Sequence, residues 1–460
     1  MKRVFSVAIS LAIIVGMLFI NQDVLADSYE EDFVSIRLTS PIKDKDTIRL
    51  YSEDGFKIYE KDDISDEIEI LKIEQIEVTI GEEDDEIDIL DMEGEILLTF
   101  NNDEDLLISS NDKDDNDKKV RVEDKYYRDY VTFKMVEDEL MTINYVKLEH
   151  YLYGVVPKEM GYSFELEALK SQSIAARTYT VKNINKHDNH GYDLCDTTCC
   201  QVYGGMDVEN IKTNRAVDET SGMIITYNGN PIDAVYHSSS GGYTDNVGEV
   251  WGSNLPYLVA VRDEFSDGYP NANWNLTMTN DEISARLHSR GMDIGEVVNI
   301  EILDTTTNGR VSQLKIEGTE GEEILSGNEF REILGTTELK STLFTIKKDN
   351  VYEDEEKVYA IDGSSSTAKS VDLNDVHIID GNLNRGSSRG FTSRFINRNG
   401  IVEFNSDIKP IESNFVIEGK GYGHGLGMSQ WGAQGMAVEG YSYKDILNHY
   451  YKNVKIDTIN

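Results

Sequence analysis

The chain has 460 residues, of which 85 are acidic and 44 basic, so its formal net charge is −41 at pH 7 and its pI is about 4.5. No basic cluster is visible along the sequence, which excludes the nucleic-acid-binding classes because they need a cationic surface. An apolar fraction of 39% with 25 tyrosines is enough for a substantial core and excludes a globally disordered chain. The length leaves room for about two or three domains.

The first 26 residues predict export. An apolar run over residues 4–20 follows a short cationic start, and Val24 and Ala26 have the spacing of a signal-peptidase site before Asp27. As a helix the run would reach roughly 25 Å, slightly less than a hydrocarbon core. A cleaved signal peptide is favoured over a retained signal anchor. Both interpretations place the rest of the chain outside the cytoplasm, with membrane contact only through this segment.

Residues 27–125 form an acidic region with a period of two. The stretches EIEILKIEQIEVTI and EIDILDMEGEILLTF place Ile, Leu and Val at every second position. This pattern, with one charged face, is typical of half-buried antiparallel strands. The acidic clusters lack the spaced ligands and the glycine of an EF-hand loop, so we interpret them as solvent-facing strand edges.

The chain changes character at about residue 126, where its charge density falls. It then runs extended to a turn at Pro157 and predicts a helix over about residues 165–182, with small side chains along one stripe. A glycine-rich loop near the C terminus leads into further helical segments. We predict three parts: 1–26, 27–125 and 126–460, the last with a divergent stretch at about 275–413.

Glu159 is the candidate acid/base. It follows the proline turn, and its neighbours Val156 and Met160 are apolar. Partial burial raises the pKa of a carboxyl toward neutrality, which would allow Glu159 to donate a proton to a glycosidic oxygen. The alternative interpretation is a helix-entry glutamate stabilised by the helix dipole. The local sequence leaves both open.

Gln172 and Arg177 lie on the predicted helix and are candidates for substrate binding. The Arg177 guanidinium, placed among alanines, needs an anionic partner. A substrate carboxylate and an internal salt bridge are both consistent with the pattern.

A candidate metal site is formed by a short loop rich in thiol and imidazole groups. Its residues are His190, Cys195, Cys199 and Cys200. This donor set is typical of tetrahedral zinc, although adjacent cysteines do not easily bind one ion. A disulfide from Cys195 to Cys199 or Cys200 is the main alternative for an exported chain. We interpret the loop as a zinc site in preference to a disulfide.

Two polar motifs are candidates for lining a binding groove. His237 and Ser239 lie in HSSSGG after an apolar strand, and no GxSxG elbow accompanies them, which disfavours serine-hydrolase catalysis. His424 and Gln430 lie in GYGHGLGMSQWG, which lacks the ending of a phosphate-binding loop. Trp431 supplies an aromatic face that could stack on a sugar ring.

The order of the motifs carries more information than any one of them. LEHYLYGVVPKEM, EALKSQSIAARTYTV, CDTTCCQVYGG, AVYHSSSGGYTDNVGEVWG, PYLVAVRDEFSD and GYGHGLGMSQWGAQGMA together resemble the SpoIID/LytB family of stage II sporulation protein D. The resemblance covers roughly residues 126–454. It implies a lytic transglycosylase that cuts peptidoglycan strands stripped of stem peptides during engulfment of a forespore, together with other engulfment or wall-hydrolase proteins. The family's catalytic acid falls on Glu159 and its helix arginine on Arg177.

The resemblance also implies zinc near the cysteine loop of some relatives, with Cys199 standing where a histidine is expected. The expected fold is α+β, with antiparallel strands and a few helices around an open glycan-binding groove, preceded by the acidic strand-rich region. The main alternative function is a non-catalytic enhancer of a wall amidase, as LytB members are described. A zinc hydrolase and an adhesive scaffold rank behind it.

Overall fold

The computed structural model describes residues 33–39, 42, 45–65, 67–82, 85–112, 118–136, 139–351 and 412–459, and the backbone of the short strands between residues 358 and 405. The predicted signal segment, residues 1–26, lies outside the described residues, as does part of the predicted divergent stretch. Within the described part of the chain, no helix has the length and apolar character needed to cross a membrane.

The structure has two compact units. The described residues contain eight α-helices. The first unit comprises the chain up to Tyr269 together with Gly425–Asn460, and the second comprises Pro270–His424. The helices are α1 (Leu148–Glu159), α2 (Leu166–Asn183), α3 (Ile211–Asp218), α4 (Val247–Val250), α5 (Asn280–Ser289), α6 (Gly327–Leu334), α7 (Gln430–Val438) and α8 (Tyr443–Tyr450).

The strands are short and pair mainly antiparallel. They are β1 (Phe33–Arg37), β2 (Thr47–Tyr51), β3 (Phe56–Glu60), β4 (Glu69–Leu71), β5 (Gln75–Ile80), β6 (Glu86–Leu90), β7 (Ile96–Asn101), β8 (Leu106–Ser110), β9 (Lys119–Val122), β10 (Lys125–Arg128), β11 (Tyr130–Val136), β12 (Glu139–Lys147), β13 (Leu194–Cys195), β14 (Met223–Tyr227), β15 (Asn230–Pro231), β16 (Tyr236–His237), β17 (Asn273–Thr279), β18 (Val297–Thr305), β19 (Val311–Gly318), β20 (Glu322–Ser326), β21 (Phe344–Val351), β22 (Val358–Ala360), β23 (Lys369–Val371), β24 (His377–Ile379), β25 (Arg385–Ser387), β26 (Thr392–Asn397), β27 (Gly400–Asn405), β28 (Glu412–Lys420), β29 (Met428–Ser429) and β30 (Lys455–Thr458). The predicted α+β class with antiparallel strands is confirmed.

Two large sheets organise the first unit. One has seven strands in the order β13-β1-β12-β11-β8-β3-β4, and the other has six in the order β10-β9-β2-β5-β6-β7. Alternate residues point inward: on β5, Ile76 and Val78 are fully buried, whereas Gln75 is exposed. The six-stranded sheet is therefore built from the period-two pattern of the acidic region.

The seven-stranded sheet crosses the boundary predicted at residue 125. Strand β1 of the acidic region pairs antiparallel with β12 over five residues, from Phe33↔Lys147 to Arg37↔Ile143. Apolar side chains from both sides of residue 125 share one buried core. Described residues on both sides of residue 125 consequently belong to the same compact unit.

Helix α1 corrects the prediction that the chain runs extended to a turn at Pro157. The helix continues through Pro157 to Glu159, because Tyr151, Leu152 and Val155 have helical spacing and are all fully buried. The missing N–H of a proline in the last turn removes one helical hydrogen bond without ending the helix at once. Helix α2 follows over Leu166–Asn183, close to the predicted range.

The second unit has its own core. Helices α5 and α6 begin with capping boxes, in which Thr279 pairs with Glu282 and Ser326 pairs with Glu329. Sheets β17-β28-β21 and β18-β19-β20 supply most of the other buried side chains. The last 36 residues then return to the first unit, where β30 pairs with β14.

Candidate active site and candidate metal centre

Glu159 is the last residue of α1 and is largely enclosed by its neighbours. The Gln430 side-chain amide donates a hydrogen bond of 3.2 Å from Nε2 to Glu159 Oε2. The Tyr236 hydroxyl and the backbone N–H of Val202 also bond to the carboxylate. Burial is the larger influence and raises the pKa of Glu159 above its ordinary value, while these hydrogen bonds partly oppose the rise. Glu159 therefore has the environment of a carboxyl that holds its proton more readily than an exposed one.

The groups around Glu159 are positioned by a short parallel strand pair. Strands β16 and β29 pair with Tyr236 opposite Met428 and His237 opposite Ser429. Helix α7 begins at the next residue, Gln430. The Ser429 hydroxyl caps the helix by accepting a hydrogen bond from the backbone N–H of Gly432. This cap fixes the position of the first residue of α7, which is Gln430. The strand pair and the cap together therefore hold the Gln430 side-chain amide beside Glu159.

Two of the predicted substrate-binding side chains present buried polar atoms near this pair of strands. Gln172 Oε1 lies 3.4 Å from Gln430 Nε2, but Gln172 Nε2 has no hydrogen-bond partner among the described residues. The Ser239 hydroxyl is also fully buried and without a partner in that part of the chain. Unsatisfied buried polar groups are costly and are typical of sites completed by a ligand or water.

The structure places the two predicted histidines differently. His237 is buried, and its Nδ1 donates to the backbone carbonyl of Leu426 at 3.0 Å, which fixes the tautomer because a carbonyl only accepts. His424 is the last residue of the second unit, so its predicted role in substrate binding stays a prediction.

Arg177 corrects an expectation. Its side chain is fully buried, and its Nε and Nη2 donate to the two Glu149 carboxylate oxygens at 2.8 and 2.6 Å. Further N–H groups bond to the backbone carbonyls of Met223 and Val217. The internal salt bridge, which the sequence had left open, is the arrangement found. The predicted substrate contact for Arg177 is wrong because no surface of the guanidinium remains to bind one.

Replacing Glu149 by Gln is expected to destabilise the protein by about 2–4 kcal/mol, because Arg177 would keep a buried charge without its carboxylate partner. The Glu149 side chain is 28% exposed, so solvent screening keeps the effect below that of a fully enclosed pair. Urea denaturation followed by circular dichroism measures the change. Glu264→Gln, which removes a surface pair with Arg262, is the control and should shift stability by less than about 1 kcal/mol. Equal effects of the two variants would contradict the assignment.

An aromatic group lies next to the Glu159 site. The Trp431 ring is flanked by Phe164, with ring centres 4.6 Å apart, and by Tyr269, stacked at 5.1 Å. Trp431 is half-buried and directly follows Gln430 in α7. The sequence singled out Trp431 but not its two aromatic neighbours, which come from distant parts of the chain.

The candidate metal centre combines three thiols with one imidazole. His187, Cys195, Cys199 and Cys200 offer ligand atoms that all lie within 4.8 Å of one another. His187 Nε2 is 3.3 Å from Cys200 Sγ and 3.9 Å from Cys199 Sγ. Tetrahedral zinc with bonds of about 2.3 Å places its sulfur ligands about 3.8 Å apart, so the donor set and spacing fit zinc. Both adjacent cysteines reach the cluster, and all three cysteines are free thiols in the structure.

The histidine of this cluster is His187, and the prediction of His190 is wrong. The chain turns sharply at Asp188–His190, so that His187 bridges back to Tyr192 and faces the cysteines. Gly191 makes the reversal possible with a φ of 78°, which glycine adopts without strain. His190 is left exposed on the outside of the turn.

The cysteine loop runs directly into the Glu159 site. Gln201 follows Cys200, accepts a hydrogen bond from Thr180 and donates to the Tyr236 hydroxyl at 3.0 Å. Val202 then donates its backbone N–H to Glu159. Sequence reasoning missed Tyr236, Gln201 and Val202, since each becomes significant only through contacts made after folding. The available signal was their closeness to CDTTCC and HSSSGG.

Comparison with known proteins places the chain in a family. Residues 136–227 match the family described as stage II sporulation protein, SpoIID, and residues 270–365 match a domain family of unknown function. The stage II sporulation protein D of Bacillus amyloliquefaciens is 30% identical over 331 residues, which cover 68% of this chain and 75% of that protein. The chain belongs to the SpoIID/LytB family, and the resemblance of its motifs is thereby confirmed.

Two further relatives are an amidase enhancer and a second stage II sporulation protein D. The amidase enhancer of Bacillus subtilis strain 168 is 34% identical over 310 residues, 65% of this chain. The match spans only 39% of that protein's length. The stage II sporulation protein D of the same organism is 28% identical, covering 68% of this chain and 76% of the relative.

Proposed function

We propose that this protein is a lytic transglycosylase that cleaves the bond between N-acetylmuramic acid and N-acetylglucosamine in peptide-stripped peptidoglycan strands. The observation that carries the proposal is Glu159: a largely enclosed carboxyl with a raised pKa, bonded to Gln430 and Tyr236. Gln172 Nε2 and the Ser239 hydroxyl, which have no hydrogen-bond partner among the described residues, add polar groups suited to sugar hydroxyls.

In this proposal one carboxyl performs both proton transfers. Protonated Glu159 donates its proton to the glycosidic oxygen as the bond to C1 of muramic acid breaks. The resulting carboxylate then accepts the proton of the muramic 6-hydroxyl while that oxygen bonds to C1, which closes a 1,6-anhydro ring. No water is consumed, so the second carboxylate used by hydrolytic glycosidases is not required. Gln430 and Tyr236 would hold the carboxyl in place during both transfers.

Mass spectrometry of stripped glycan strands incubated with the protein tests the reaction. Fragments ending in 1,6-anhydro-muramic acid would establish a lytic transglycosylase. Fragments with reducing ends would instead indicate hydrolysis. Uncut strands would contradict the proposed transglycosylase activity.

A second candidate function is enhancement of a cell-wall amidase. It is favoured by the similarity to the Bacillus subtilis protein named amidase enhancer. An enhancer would leave glycan strands uncut and would accelerate release of stem peptides by a co-incubated amidase. The same acceleration by the Glu159→Gln variant would separate this function from glycan cleavage.

We further propose that the cluster of His187 and the three cysteines holds a structural zinc ion. Four protein ligand atoms complete a tetrahedral site, which leaves no position for an activated water and disfavours a zinc hydrolase. The proposed location is extracytoplasmic, secreted or anchored by the N-terminal segment. A role in sporulation and engulfment is proposed from the names of the relatives.

Replacing Tyr236 by Phe is expected to shift the alkaline limb of the cleavage rate to higher pH. The Tyr236 hydrogen bond lowers the pKa of Glu159, so its loss raises that pKa further. The protonated form, which donates the proton, then persists to higher pH. A pH–rate profile on stripped strands measures the shift, with Tyr162→Phe as control because Tyr162 is 66% exposed. A limb that stays in place or moves to lower pH would contradict the role of Tyr236.

A further inference from the structure

A cavity of about 440 Å³ opens on the six-stranded sheet of the acidic region, and none of the candidate site residues described above lines it. Strands β2 and β9 supply Arg49, Leu50, Tyr51 and Arg121 to its wall. The volume lies within the range of small-molecule binding sites. Three cationic side chains line the cavity against two anionic ones, which is unusual in a chain with a net charge of −41.

The cations of this cavity are not equivalent. Lys45 pairs with Glu123 at 2.7 Å, and Arg49 pairs with Glu77 at 2.8 Å. Arg121 makes no hydrogen bond or ion pair with a carboxylate in the described part of the chain, and its Nε is buried without a partner. Its guanidinium instead lies over the Tyr51 ring, 4.6 Å from the ring centre. The stacking orients the guanidinium plane and does not engage its charge in an ion pair, although Glu123 and Asp124 line the same cavity.

The rest of the wall suits a sugar. The half-exposed Met92 and the Tyr51 ring provide apolar surface, and the Gln75 amide provides a donor and an acceptor. A guanidinium presents paired N–H groups that match the two oxygens of a carboxylate. The ligand class that combines these features is a sugar carrying a carboxylate.

We propose that this cavity is a second glycan-binding site that takes the lactyl carboxylate of N-acetylmuramic acid on Arg121. The choice of sugar rests on the proposed function, since peptide-stripped strands expose that carboxylate at every muramic residue. Long-range attraction cannot hold so acidic a protein on an anionic wall. A local site in which Arg121 is not bonded to a carboxylate would bind a sugar at short range, where the net charge of the protein does not favour attachment.

The experiment compares two monosaccharides that differ by the lactyl group. N-acetylmuramic acid and N-acetylglucosamine are titrated into the protein labelled with ¹³C at its methionine methyl groups, and Met92 reports on the cavity. N-acetylmuramic acid is expected to shift the Met92 signal, whereas N-acetylglucosamine is not. Arg121→Gln is expected to weaken the response at least about tenfold, since hydrogen bonds to a charged group are lost.

Arg262→Gln, at a surface arginine outside the cavity, is the matched control and should leave the titration unchanged. Equal responses to the two sugars, or an unchanged response in Arg121→Gln, would overturn the proposal. The measurement does not depend on bond cleavage, so it can fail while the proposed enzyme function stands. Conversely, an uncut glycan strand together with a Met92 shift would leave the second site intact.

Discussion

Replacing Glu159 by Gln is expected to lower the rate of glycan cleavage by about 10²–10⁴-fold, the contribution typical of general acid–base catalysis. A loss near the upper end is expected because this carboxyl is proposed to donate one proton and accept the next. The amide of Gln keeps the volume and can still accept a hydrogen bond, so binding of the glycan strand should change little. Release of anhydro-ended fragments, quantified by mass spectrometry over time, measures the effect.

The control for this prediction is Glu439→Gln. Glu439 is exposed at the end of α7, the same helix that begins with Gln430. It should retain the full cleavage rate. A folded Glu159→Gln protein that cleaves glycan strands as fast as the native protein would exclude Glu159 as the catalytic acid. Membership of the family would not be affected by that result.

Replacing Cys200 by Ser, or removing metal with a chelator, is expected to lower the melting temperature by on the order of 10 °C. Loss of a structural metal belongs to the small set of changes that cost about 4 kcal/mol or more. The effect should reach the Glu159 site, because Gln201 and Val202 directly follow Cys200 and bond to Tyr236 and Glu159. Differential scanning calorimetry with elemental analysis of zinc measures both the stability and the metal content.

The two nearby histidines supply a matched pair for this test. His187→Gln should lose zinc and stability, whereas His190→Gln should keep about one zinc per chain and an unchanged melting temperature, because His190 lies outside the cluster. A native protein without metal, whose mass is lower by two hydrogens, would show that a disulfide occupies the loop. That outcome would remove the zinc proposal.

Three candidate site residues that the sequence singled out lie together in the structure. Glu159, Gln172 and Gln430 were identified from separate motifs, and Gln430 lies within hydrogen-bond reach of both Glu159 and Gln172. Their side chains are polar in apolar surroundings, which is visible in a sequence. Tyr236 was not identified, because nothing in the sequence distinguishes a tyrosine whose hydroxyl meets a carboxylate from one that packs in the core.

The errors have physical causes of a different kind. His190 was preferred to His187 because sequence spacing does not show which side of a tight turn a side chain takes. Arg177 remained a candidate for substrate binding because the sequence does not show that its partner, Glu149, 28 residues earlier on another helix, lies beside it. The predicted turn at Pro157 was wrong because burial of the preceding helical face outweighs one lost hydrogen bond. In each case the arrangement depends on tertiary contacts, which the local sequence pattern does not show.

The first unit is discontinuous along the chain, and this has a consequence for its synthesis. Its Glu159 carboxylate is bonded by Gln430, and its strand β14 is paired by β30, on the far side of the 155-residue second unit. Contacts of such long sequence separation form late, because the loop between them must be closed first. A nascent chain therefore carries Glu159 long before it carries Gln430, which bonds to the Glu159 carboxylate. The proposed cleavage activity is consequently expected only after nearly the whole polypeptide has been made.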